Sequence, residues 1–194
     1  MCCGGAVSLF IEPLATTTPA IIFGAGHISH ALAPILHQLG FSVTVVDERP
    51  AFNTPERFPN ASRVIANPVL WSADVPDNKE SYWLVVTHDH ALDQTIVQHL
   101  ITREHAWLGV IGSMAKITKF LLRLRASGVE EQHLQHLMGP VGLDIGAETP
   151  SEIAVSIAAE WKRRWIAFIT RLSCRDWPIG GFNSMKRTGY WNPN

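Results

Sequence analysis

Short apolar runs alternate along the chain with stretches in which apolar residues recur every three or four positions, the pattern of parallel strands covered by helices. The runs at 6–11, 20–23, 42–46, 63–66, 82–87 and 107–111 predict strands. Between 20–23 and 42–46 the spacing predicts a helix over Ile28–Leu39, with Ala31, Leu32, Ile35 and Leu39 on one face and Gly40 as its stop. A second helix over 113–126 places Ile117, Phe120, Leu121 and Leu124 at i, i+3, i+4 and i+7, with Gly128 after its end. Thr149-Pro150-Ser151-Glu152 is a capping box with proline at the first helical position, and the helix it opens turns Ile153, Ile157, Trp161 and Trp165 toward the sheet. The expected class is α/β, a Rossmann-like parallel sheet with helices on both faces. That domain is expected over residues 19–168, between an N-terminal strand segment, 1–18, and a tail, 169–194.

Candidate chemistry gathers where these strands end. In IIFGAGHISHA, Gly24 allows a tight turn, Gly26 lets backbone approach a phosphate, and the next helix start offers free N–H groups. A dinucleotide fingerprint would carry glycine where Ser29 stands, so Ser29 is expected to push the helix slightly off the strand. Asp47 closes the strand of SVTVVDERP, where an acid can accept ribose hydroxyls, while Arg49 beside it blurs a choice between NAD and NADP. In YWLVVTHDHALD a strand ending at Thr87 would deliver His88, Asp89 and His90 to the same edge. In WLGVIGSMAK a strand ending at Ile111 leads to Gly112-Ser113, a second helix start, with Lys116 one turn in. Gly24–His27, Asp47, His88–His90 and Gly112–Ser113 are therefore expected to line one crevice. Each also has a plainer reading as turn, cap or loop.

Composition narrows the classes. The chain has 194 residues, 46% of them apolar, enough for one sizeable core. Its longest apolar runs fall far short of the roughly 20 residues a membrane span needs. MCCGG lacks the basic and apolar parts of a signal peptide, and three cysteines make no disulfide framework, so a cytoplasmic protein is expected. Net charge is −1, but residues 162–194 hold seven Lys/Arg against one Asp/Glu, and four of the seven tryptophans fall from Trp161 to Trp191. Interleaved basic and aromatic residues occur on single-strand nucleic-acid binders, yet glycine, proline and absent periodicity past about Phe168 make a loosely packed terminus the simpler reading.

Cys2 and Cys3 lack the C-x-x-C spacing of zinc or redox sites, and an ordinary thiol is only about 3% ionised at neutral pH, so a reactive role needs a nearby cation or helix start. Taken in order, CCGG, FGAGHI, VVDER, THDHALD, WLGVIGSMAK and GPVGLDIGAETPSEIAVSIAAE resemble the XdhC/CoxI family of xanthine dehydrogenase accessory proteins, over about residues 2–161. The resemblance implies a non-catalytic protein that binds molybdenum cofactor, protects it while a cysteine desulfurase supplies sulfur, and delivers it to apo xanthine dehydrogenase. Read together with the crevice above, cofactor contacts are expected from Cys2, Cys3, Gly24, Gly26, His27, Asp47, His88, His90, Gly112 and Ser113, with Asp47 mattering chiefly if a ribose is bound and Cys2 or Cys3 near the metal. An exposed N-terminal strand points to a homodimer. Family members usually carry a domain ahead of CCGG, which here follows Met1; beyond Trp165 the resemblance fades, and RLSCRDWPIGGFNSMKRTGYWNPN resembles no known segment. An NAD(P)-dependent oxidoreductase and a nucleotide-sensing module stay open as alternatives.

Overall fold

The computed structural model describes residues 17–176, the stretch from 165 onward as helix backbone alone. The predicted strand at 6–11, both N-terminal cysteines and most of the basic tail lie outside the described residues. Six strands form one sheet: β1 (Thr18–Phe23), β2 (Phe41–Val46), β3 (Ser62–Val64), β4 (Asn78–Val85), β5 (His105–Val110) and β6 (Leu137–Met138). Their spatial order is β3-β2-β1-β4-β5-β6, and every pairing is parallel. Ile22 of β1 stands beside Val45 of β2 on one side and Leu84 of β4 on the other. The chain thus winds outward twice from β1. The ends of β1 and β4 mark the switch point, where open sheets of this type leave a crevice.

Six helices accompany the strands: α1 (His27–Gln38), α2 (Pro68–Ala73), α3 (His90–Leu100), α4 (Met114–Ala126), α5 (Glu131–Leu134) and α6 (Pro150–Asp176). Alternation along each strand feeds two cores. Ala20, Ile22, Val43, Val45, Tyr82, Leu84 and Trp107 meet Leu32, Ala33 and Leu36 of α1 and Ala154, Ile157, Ala158 and Trp161 of α6. Phe23, Val46, Trp83, Val85, Leu108 and Val110 meet Ile96, Val97 and Leu100 of α3 and Ile117, Phe120 and Leu124 of α4. Each fully buried Leu, Ile or Phe here stabilises by roughly 1.5–3 kcal/mol relative to exposure. Helices on both faces are why the strands read as near-continuous apolar runs.

The structure shifts several expected limits. β4 begins at Asn78 and ends at Val85, so Val86 and Thr87 already belong to the turn. The α1 face rotates, because α6 packs along it: Leu32, Ala33 and Leu36 are buried, while Ala31, Ile35 and Leu39 are only partly so. The capping box at Thr149 forms as expected, with Thr149 N–H on Glu152 Oε2 (2.9 Å) and Glu152 N–H on Thr149 Oγ1 (3.3 Å). The helix it starts passes through the expected boundary at 168 and continues to Asp176.

Candidate functional site

The turn after β1 departs from the sheet at Gly24, whose φ of +114° favours glycine. A Cβ there would also press on the Val86 carbonyl of the neighbouring turn. The helix start beyond it is open: Gly26 caps α1 without a side-chain hydrogen bond, no acidic residue lies in the first turn, and no atom comes within 4 Å of where a Gly26 Cβ would stand. His27, the first residue of α1, is exposed. Ser29 is fully buried, and its hydroxyl donates to the Gly24 carbonyl at 2.6 Å. The side chain expected to push the helix slightly off the strand thus ties that helix to the turn.

Asp47 directly follows β2, but its carboxylate is taken. Oδ2 accepts from the Ala25 N–H (2.7 Å) and from Arg49 Nη2 (2.7 Å), and Oδ1 accepts from the Arg49 N–H and Nε, both at 2.9 Å. Burial pushes this carboxyl up, yet the hydrogen bonds from Arg49 and the two backbone N–H groups prevail, and its pKa lies below the usual range. Arg49 also covers the Phe52 ring, 4.4 Å from its centroid, and Arg57 approaches that ring at 5.8 Å. Arg57 donates through Nη2 to the carbonyls of Ala25 (3.2 Å) and Gly26 (3.4 Å), so two guanidiniums flank the glycine turn.

Across the switch point, the turn after β4 leads into α3. His88 and His90 are exposed, as expected of crevice residues, while Asp89 acts as the helix cap, accepting from the Ala91 (2.5 Å) and Leu92 (3.4 Å) N–H groups. Those two bonds hold its carboxyl below the usual range. Beneath them lies a pair that sequence reasoning missed. Asp93, 1% exposed, accepts Thr87 N–H (3.0 Å) and Thr87 Oγ1 (2.6 Å) on one oxygen and Lys116 Nζ (2.7 Å) on the other. Lys116 also donates to the Ile111 carbonyl at 2.8 Å. Gly112, at φ +154°, makes room for this: a Cβ would collide with the Lys116 side chain. Ser113 caps α4 through the Lys116 N–H at 3.3 Å. The G-S-x-x-K stretch is thus a brace between α4 and α3, its lysine turned inward.

Gly24, Gly26, His27, Asp47, His88, His90, Gly112 and Ser113 stand just past the carboxyl ends of β1, β2, β4 and β5. Cys2 and Cys3 lie outside the described residues. Among the described residues no cluster of three His, Cys, Asp or Glu side chains is arranged to hold a metal, and no helix is long and apolar enough to cross a membrane. A cavity of about 190 Å3 lies behind α1, lined in part by His30, Pro34, Arg57, Phe58 and Pro59; none of the residues expected in the crevice lines it.

An all-parallel sheet in this order, with a glycine turn and an open helix start after its first strand, defines a Rossmann domain. More narrowly, the chain belongs to the XdhC Rossmann domain family, whose match covers residues 20–161. It is 38% identical over 163 residues to the uncharacterized protein YqeB of Escherichia coli K12, covering 81% of this chain and 29% of that one. It is 39% identical over 154 residues to a Bacillus subtilis 168 protein named as a probable subunit of xanthine dehydrogenase, covering 79% and 44%. A crystal structure described as a xanthine dehydrogenase from Bacillus halodurans superposes with a TM-score of 0.70 at 29% identity, covering 78% of this chain and 43% of that one. The chain spans less than half the length of each of these relatives.

Proposed function

We propose that this chain supplies the Rossmann domain of a xanthine dehydrogenase accessory protein that holds molybdenum cofactor, protects it during sulfuration by a cysteine desulfurase and passes it to apo xanthine dehydrogenase in the cytoplasm. Membership of the XdhC family across residues 20–161 carries this reading. Two relatives whose names include xanthine dehydrogenase support it. When bound, the cofactor supplies a phosphate, a pterin with many hydrogen-bonding edges and a soft dithiolene-held metal. The residues at the crevice suit such a group. The unacidified start of α1 at Gly26 and His27 would hold the phosphate, with the start of α4 at Ser113 as a second helix start. His27, His88 and His90 are exposed and free to hydrogen-bond a polar ring. Cys2 and Cys3 would supply thiols to a soft metal. Asp47 serves in this site through what it holds, because its oxygens already accept four hydrogen bonds. The same saturation disfavours an NAD-dependent oxidoreductase, which would set a ribose diol on that carboxylate.

Anaerobic gel filtration with isolated molybdenum cofactor, followed by metal analysis of the protein peak, tests the proposal. The parent should retain molybdenum, and the Cys2→Ser/Cys3→Ser double variant should lose most of it with its circular dichroism unchanged. Equal retention by the double variant removes the thiol role, and a parent that retains no molybdenum overturns the function. The assembly with a second copy is read from the elution volume of the same run.

A further inference from the structure

An acid directly after β2 is, in dinucleotide-binding domains, the group that accepts ribose hydroxyls. A carboxylate has about four lone-pair sites. Here all four are met by Ala25 N–H, Arg49 N–H, Arg49 Nε and Arg49 Nη2, at 2.7–2.9 Å, and the side chain is 4% exposed. No acceptor capacity is left for a diol. The arginine is placed differently. Two of its five N–H groups enter this pair, its side chain is 28% exposed, and its guanidinium carbon lies over the Phe52 ring, 4.4 Å from the centroid.

Charge at the turn points the same way. Arg57 lies against the Ala25 and Gly26 carbonyls and enters no ion pair among the described residues. Of the neighbouring carboxylates, Glu48 adds to the negative field at Arg49 while accepting from Asn67 Nδ2 at 2.9 Å, and exposed Glu56 is engaged by its own backbone N–H and by Thr54. Of the two guanidiniums, only Arg49 is ion-paired among the described residues, and they stand beside a helix start with no acid in its first turn.

We propose that this crevice recognises a phosphomonoester through Arg49, with Arg57 adding charge, and that Asp47 is a positioning residue that aims Arg49 rather than a ribose acceptor. Arg49 then provides the planar, forked donor set that suits a dianionic phosphate group, already ordered before the ligand arrives. The inference names the ligand group behind the preceding reading. It can hold even if molybdenum cofactor is not the ligand, since the same group occurs in the cofactor's side chain and as the 2′-phosphate of NADPH.

Three probes separate the possibilities: NADPH, NADH and isolated molybdenum cofactor, each titrated against parent, Arg49→Gln and Asp47→Asn, with circular dichroism as the check on folding. NADPH should bind the parent at least tenfold more tightly than NADH. Arg49→Gln should abolish that preference and Asp47→Asn should reduce it severalfold. Arg49→Lys, which keeps charge without the fork, should recover part of the preference. If cofactor alone binds, its retention should fall at least tenfold in Arg49→Gln. R49Q-sensitive NADPH binding without cofactor retention sustains the phosphomonoester site and overturns the molybdenum reading. Equal affinity for NADH and NADPH, NADH binding that collapses in Asp47→Asn, cofactor retention indifferent to Arg49→Gln, or no binding of any probe overturns the inference.

Discussion

The two sides of the crevice use the same device to different ends. On the β1–β2 side, a buried carboxylate at a strand end accepts the Ala25 N–H of the glycine turn and a side-chain cation, Arg49. On the β4–β5 side, a buried carboxylate accepts the Thr87 N–H of the next turn and a side-chain cation, Lys116. The difference lies in where the cation faces. Lys116 is 10% exposed, is held by Asp93 and the Ile111 carbonyl, and lies over Phe120 at 5.3 Å, so it locks α4 to α3 and presents nothing outward. Arg49 is 28% exposed and keeps N–H groups outside its pair. One side fixes the frame, and the other displays a charge.

Breaking the inner pair should have the largest effect. Lys116→Met leaves Asp93 buried without its cation and should cost about 3–5 kcal/mol in urea denaturation. Adding Asp93→Asn should restore at least half of that loss, since no charge then stays buried; a double variant as weak as the single one would assign the loss to packing.

The outer pair should be weaker and sensitive to acid. Arg49→Gln should cost roughly 1–3 kcal/mol at pH 7. Because the folded Asp47 carboxyl lies below its unfolded value of about 3.9, its stabilising effect is complete above that pH and fades as pH falls through the folded value. Without Arg49 the opposing push of burial is less well offset, so parent and variant should converge in stability toward pH 3. A gap of constant size from pH 7 to 3 would break the contrast with the inner pair.

Ser113→Ala should be the mildest change. Its cap is exposed and 3.3 Å long, so a loss of about 0.5 kcal/mol is expected, the low end for such caps.

Much of this arrangement is legible in the chain because its signals are local. The glycine turn, the βαβ unit and the Thr149 capping box each lie within a few consecutive residues, and two-sided burial writes the strands as apolar runs. Asp93 and Lys116 carry no such mark. They are 23 residues apart, and only the sheet brings them together. The position of Asp47 is legible but its role is not, since a periodic pattern cannot show which donors fill a carboxylate. The helices over 68–73 and 90–100 did leave signals: Asn67-Pro68 is a cap followed by proline, and Asp89 precedes Ile96, Val97 and Leu100 at helical spacing. The polar start of β4, Asn78–Glu80, is exposed, so no apolar run announces it.

Ser29 bears on how such domains are recognised in other chains. Its hydroxyl bridges to the carbonyl of Gly24, so the third position of the turn here accepts a small side chain that donates back to the turn and needs no freedom of backbone rotation. A search that insists on three glycines passes over a protein built this way. A pattern admitting serine there, paired with an acid and an arginine two residues apart at the end of the next strand, would gather crevices of the displayed-charge kind and leave aside those that hold a bare ribose acceptor.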